Sequence, residues 1–145
     1  MRKFKIIKNI NYHIYNRGFY KQKVFRSESD YRFYMFKISQ LKEELKIKIF
    51  ICCLMPNHYH FLLNSGYKPE QIAYFMHRLH TAYAKYYNAK YENSGHVFQG
   101  PYQNKPVISK ASFKNVYDYI NMNPVEAGLV KKPEDWLYRL VYDTI

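Results

Sequence analysis

The residues best suited to chemistry are His58 and His60. The run His58-Tyr59-His60-Phe61-Leu62-Leu63-Asn64 reads as a strand, and on a strand residues i and i+2 share a face. At a rise near 3.3 Å per residue, their Cα atoms stand ~7 Å apart, close enough for both imidazoles to reach one metal ion. Tyr59 then points the other way, into packing. For a bare His-x-His the commoner arrangement is two half-buried, hydrogen-bonded histidines on a sheet face. Farther along, Tyr119 and Asn123 are spaced to share one face of a helix. An asparagine carbonyl is a hard oxygen donor that can complete a metal site. A tyrosine hydroxyl can attack phosphorus if a metal polarises the phosphate and offsets the developing charge. Alone, one tyrosine among 17 carries little information, and Asn123 before Pro124 also suits an ordinary helix terminus.

Seven elements are expected to position these groups. Residues 10–16 mix β-branched and aromatic side chains and read as a strand closed by Arg17-Gly18. Ser27 with Asp30 marks a helix start, and Tyr34, Ile38, Leu41 and Leu45 recur at helical spacing over 28–45. Residues 47–54 form a second strand, broken by Met55-Pro56-Asn57, and 58–64 a third, so these two make an antiparallel hairpin. Pro69 opens a helix over 70–91 with an apolar stripe of Ile72, Phe75, Met76, Leu79, Tyr83 and Tyr86. A fourth strand is expected at 105–109. Ser112 is expected to cap a helix that buries Phe113, Val116 and Ile120 and ends near Met122 or Asn123 because of Pro124. Packing that apolar face on the sheet can carry the neighbouring face, with Tyr119 and Asn123, over the histidines. Tyr117 lies about 200° round the helix from Tyr119, so only one of the two can face them. The pattern defines an α+β fold, an antiparallel sheet with helices packed on it, in one domain over 1–145.

Composition narrows the partner. Lys and Arg total 23 against 11 Asp and Glu, a formal charge of +12, which points to a polyanion. Aromatics at 19 % suit stacking on unpaired bases, so single-stranded nucleic acid is expected before duplex. Binding should weaken steeply with salt, by about 0.7 in log–log slope for each phosphate neutralised. Cys52 and Cys53, the only cysteines, are adjacent and should face opposite sides of a strand as reduced, packed thiols. With neither a signal-peptide pattern nor a run of ~18 apolar residues, a membrane partner is not expected and the location is expected to be cytoplasmic.

Four segments in order resemble the single-tyrosine transposases of the HUH superfamily. Met55-Pro56-Asn57-His58-Tyr59-His60-Phe61-Leu62-Leu63 resembles their His-hydrophobe-His strand, and Tyr12-His13 with Arg17-Gly18 their opening strand. Gly95-His96-Val97-Phe98-Gln99-Gly100 resembles the loop after the second helix, and Tyr119-Ile120 with Asn123-Pro124-Val125-Glu126-Ala127-Gly128-Leu129-Val130 the closing block. The loop and closing block look more like the REP-associated branch than the smaller insertion-sequence enzymes. Two departures stand out: the family often has Arg where this chain has Pro101, and its Trp-Pro-Trp-Ser-Ser ending is here Trp136-Leu137-Tyr138-Arg139-Leu140.

The resemblance implies a ferredoxin/RRM-like HUH fold and a reaction in DNA transposition. In it, a tyrosine attacks single-stranded, hairpin-associated DNA, leaving a 5′-phosphotyrosine and a free 3′-OH. Carried over by position, Tyr119 is the nucleophile and His58, His60 and Asn123 are metal ligands; Arg17, His96, Gln99 and Lys105 are the expected DNA contacts. Imidazole ligands alone favour Zn, Cu, Ni or Fe over Mg; the resemblance favours Mg²⁺ or Mn²⁺, with phosphate supplying hard oxygens. The REP-associated branch implies an active site within one chain, so a monomer is favoured over a homodimer. The competing readings are a relaxase or replication-initiator nickase, a non-catalytic single-strand binding module and a zinc hydrolase. The last lacks a His-Glu-x-x-His motif and an activating carboxylate near the pair.

Overall fold

The computed structural model describes residues 5–142. Its elements in chain order are β1 (Asn11–Arg17), α1 (Glu28–Leu45), β2 (Lys48–Met55), β3 (His58–Asn64), α2 (Glu70–Lys90), β4 (Gln103–Val107), α3 (Lys110–Glu126) and β5 (Arg139–Val141), with short 3-10 turns at Phe19–Lys21 and Pro133–Asp135. The strands make one antiparallel sheet in the order β4-β1-β3-β2-β5. The expected α+β architecture is present. Among the described residues, no helix is long and apolar enough to cross a membrane.

Strand alternation divides the side chains between two faces. Tyr12 and Ile14 of β1, Cys52 and Leu54 of β2, and Tyr59, Phe61 and Leu63 of β3 are buried with the apolar stripes of α1 and α2. The other face carries a smaller core, in which Ile51, Cys53, Met55 and Leu62 meet Phe113 and Ile120 of α3. A bulge between Ile49 and Ile51 lets the consecutive Phe50 and Ile51 both join this second core. Cys52 and Cys53 are buried, free thiols in opposite cores, as their adjacency implies.

Asp30 ties the start of α1 to α2. It has no exposed surface and accepts hydrogen bonds from the backbone N–H of Arg26 and Ser27 at 2.9 and 3.2 Å, from Tyr86 Oη at 2.8 Å, from Lys90 Nζ at 2.8 Å and from Tyr91 Oη. Burial alone would raise its pKa, but the bonds from Lys90, Tyr91, Tyr86 and Arg26 more than offset this and hold it at about 2.

Four expectations need correction. The fourth strand is Gln103–Val107, two residues earlier than read, because its register is set by β1, with His13 opposite Lys105. The cap of α3 is Ser109, not Ser112: Ser109 Oγ accepts the Ser112 N–H at 3.0 Å, which starts the helix at Lys110. The helix does not stop at Met122 or Asn123 but runs through the buried Pro124 to Glu126. Pro124 forfeits one backbone bond near the helix end. The turn still closes, since Gly128 N–H donates to Val125 O at 2.9 Å and Leu129 N–H to Pro124 O at 3.0 Å, with Gly128 at φ 75°. Finally, the tail adds a strand that no alternation announced. β5 pairs with β2, fastened by the Trp136 Nε1–H bond to Leu54 O at 2.9 Å and by Tyr138 stacked on Tyr31 with centroids 3.7 Å apart.

Candidate active site and nucleic-acid face

β3 starts directly after the Pro56-Asn57 turn, so His58 sits at the sheet rim and His60 one step inward. Their rings share the α3 face with centroids 5.1 Å apart at an 84° angle. Tyr59 turns to the opposite face, where its hydroxyl and His80 Nε2 are 2.7 Å apart. The expected sidedness of all three residues is observed.

α3 is held by Phe113 and Ile120, both buried against the sheet. Tyr117 packs with that core, its ring 6.3 Å from Phe113. Helical geometry then aims Tyr119 elsewhere, edge-on to the histidines, with centroids 5.3 Å from His60 and 6.1 Å from His13. Tyr119 remains 54 % exposed. One turn later Asn123 Oδ1 lies 3.0 Å from His58 Nε2. Tyr119, Asn123, His58 and His60 are therefore brought together, as expected.

His13, to which the sequence reading gave no role, completes the cluster. Its Nε2 lies 2.9 Å from His60 Nδ1. The link depends on β1 lying beside β3 with Tyr15 opposite His60 and His13 opposite Leu62. The available signal was the Tyr12-His13-Ile14 alternation, but pairing between strands so distant in sequence is not written in either strand. Burial holds all three imidazoles neutral. His13 is lowered to about 4 by burial and the nearby Lys105 charge, and His60 to about 2 by burial and the other two histidines. His58 is lowered by burial, which the hydrogen bond that its Nε2–H donates to Asn123 Oδ1 partly opposes.

Neutral imidazole is the metal-ligating form. His60 Nε2 is buried without a hydrogen-bond partner, an orphaned nitrogen that a cation would satisfy. The 3.0 Å between His58 Nε2 and Asn123 Oδ1 is also the separation of two neighbouring ligands at right angles about 2.1 Å from one ion. The donor set thus fits a divalent cation, although among the described residues no three His, Cys, Asp or Glu side chains form a ready-made cage.

α3 covers the β1–β4 side of this face only in part: Val107 is buried beneath it, while His13 and Tyr15 are half-buried and Arg17 and Lys105 exposed. Arg17 lies opposite His58 across the β1–β3 pair, and Lys105 lies opposite His13. Lys105 Nζ stands 5.6 Å from the Tyr15 ring centroid. Arg17 Nε donates to Gln99 Oε1, and Gln99 N–H to Arg17 O at 2.9 Å, so the 95–100 loop is clamped to the end of β1. His96 sits apart, its ring 5.9 Å from Phe19. Gly18, beside Arg17, has no room for a side chain, since a Cβ there would meet Gln22 O at 2.1 Å.

Comparison with known proteins places this arrangement. The family model described as IS200-like transposase matches residues 6–123, and the chain belongs to that family. It is a transposase of the tyrosine type, an enzyme of DNA transposition. Among solved structures it is similar to a REP-associated tyrosine transposase bound to a REP hairpin, with a TM-score of 0.76, 16 % identity, and 96 % of this chain and 80 % of that one covered. It is also similar to a candidate transposase from Deinococcus radiodurans R1, with a TM-score of 0.55, 16 % identity, and 83 % of this chain and 95 % of that one covered. At such identity these likenesses establish the shared fold. Among curated proteins none matches the sequence.

Proposed function

We propose that this transposase cleaves and rejoins single-stranded, hairpin-associated DNA through Tyr119, at a divalent Mg²⁺ or Mn²⁺ ion held by His58, His60 and Asn123. The observation that carries the reading is the placement of an exposed phenol, 54 % accessible, at 5.3 Å from an imidazole whose Nε2 has no partner. The Tyr119 oxygen gives up its proton and attacks the phosphorus, the P–O3′ bond breaks, and the 3′ oxygen leaves and takes up a proton to become the 3′-OH. The 5′ phosphate stays esterified to Tyr119, so bond energy is conserved and a 3′-OH can reverse the step. A divalent ion in this site supplies polarisation of the phosphate and offsets its developing charge.

The chain's own groups do the rest. Ile120 and Phe113 fix α3 and hence the angle of Tyr119. Arg17 and Lys105 flank the cluster on the open face and attract the phosphate backbone. Gln99 steadies Arg17, and His96 serves on the loop rather than at the cluster. A REP-type hairpin is the substrate class favoured by the fold likeness, and the convergence of all these groups within one chain favours a monomeric site. The expected location is the cytoplasm, where reduced thiols persist.

The test is incubation of the chain with labelled hairpin single-stranded DNA, with and without Mn²⁺, followed by a denaturing gel and peptide mapping. An ion-dependent covalent adduct mapping to the peptide with Tyr119 is expected. Binding without any adduct would favour a non-catalytic module.

A further inference from the structure

We propose that His13 is the positioning residue for His60: it accepts the His60 Nδ1–H and so leaves the His60 Nε2 lone pair free to ligate the ion. The inference rests on the reading of His60 as a metal ligand and extends it to a residue outside that set.

The argument is one of proton placement. His13 Nε2 and His60 Nδ1 are 2.9 Å apart, so one proton must lie between them. If His13 donated it, neutral His60 would carry its own proton on Nε2. That nitrogen is buried and has no partner, and a buried side-chain N–H left without an acceptor is costly and uncommon in folded proteins. If His60 donates instead, Nε2 carries a lone pair, which is what a cation requires. A ligating histidine almost always gives its other N–H to a carboxylate, carbonyl or water. Here an imidazole takes that place, because the neighbouring strand β1 presents His13 at the required point. The two rings meet through this bond with centroids 5.1 Å apart and planes inclined by 29°, and Tyr15 packs against both, 4.8 Å from His13 and 6.0 Å from His60. The acceptor is therefore held on two sides. Removing it frees the His60 ring to turn or to adopt the other tautomer, in which Nε2 cannot bind metal.

Two variants separate this role from simple packing. His13→Gln sets an amide oxygen close to where Nε2 stood and can still accept, whereas His13→Leu keeps bulk but cannot. The measurements are ¹⁵N shifts of the histidine rings in the metal-free chain and Mn²⁺ titration with and without hairpin DNA, alongside thermal unfolding. His60 protonated on Nδ1 in the wild-type chain is expected. So is a loss of roughly 10–100-fold in Mn²⁺ affinity for His13→Leu, with most of it restored in His13→Gln. A proton on His60 Nε2, undiminished Mn²⁺ affinity in His13→Leu, or a His13→Gln as weak as His13→Leu overturns the proposal. Should His13→Leu fail to fold, the wild-type tautomer and the His13→Gln affinity decide. A wild-type chain that binds no Mn²⁺ under either condition overturns the metal reading and this inference together.

Discussion

On the α1–α2 face of the sheet, Tyr59 is fully buried and its hydroxyl shares a 2.7 Å hydrogen bond with His80 Nε2. On the α3 face, Tyr119 is 54 % exposed and lies edge-on to His60, whose Nε2 has no partner. The same two residue types thus meet on both sides of one strand. Burial pushes the Tyr59 phenol well above its ordinary pKa, and its hydrogen bond is already made, so it acts as packing with a satisfied polar tip. Tyr119 has access to a substrate and stands beside an unsatisfied nitrogen. A tyrosine–histidine pair becomes a site only where the sheet face is left partly uncovered. Here α1 and α2 close one face, while α3, a single helix, covers only part of the other.

This contrast can be broken most forcefully on the closed face. Phe61 has no exposed surface and packs among Tyr59 and Phe75. Phe61→Ala is expected to lower stability by about 3–5 kcal/mol, read by denaturant unfolding; a loss well under 1 kcal/mol would mean the face is not the main core.

The two faces begin to respond to acid at different pH. His13 is held at about 4 and His60 at about 2, against 6.5 for a free imidazole. Below pH 6.5 the unfolded chain takes up protons that the folded chain refuses, so stability should fall as pH drops from 6.5, toward 4 through His13 and on toward 2 through His60. Asp30, held at about 2 against 3.8, contributes stability that is present above 3.8 and is lost only as pH falls on toward 2. Unfolding free energies of the metal-free chain across this range should decline in both windows. Replacing His13 with Gln should flatten only the upper one.

Tyr59→Phe removes a buried hydrogen bond and is expected to cost on the order of 1 kcal/mol while adduct formation on hairpin DNA continues. Adduct loss in a folded Tyr59→Phe variant would move the chemistry to the wrong face. Tyr119→Phe, on an exposed ring, is expected to change stability by no more than about 0.5 kcal/mol.

Local signals carried much of this into the sequence. His58 and His60 share a face because a strand alternates, and Tyr119 and Asn123 because a helix turns. The stripes of α1 and α2 were readable for the same reason. What was not readable depends on distant partners. His13 becomes part of the site only through the β1–β3 register, and β5 exists only because β2 offers it an edge. Pro124 looks like a stop signal from local rules, yet it lies inside α3 because the turn beyond it satisfies the helix end. Ser109 and Ser112 are both plausible caps by type, and only the backbone path out of β4 selects the first.

The central claim, that Tyr119 is the nucleophile, is tested most directly by covalent capture of labelled hairpin DNA in Mn²⁺ by two single-oxygen variants. Tyr117 packs against Phe113 on the same helix and serves as the control. Tyr119→Phe should bind the DNA, remain folded and form no adduct, while Tyr117→Phe forms it as the unaltered chain does. An adduct formed at the normal rate by Tyr119→Phe would contradict the account.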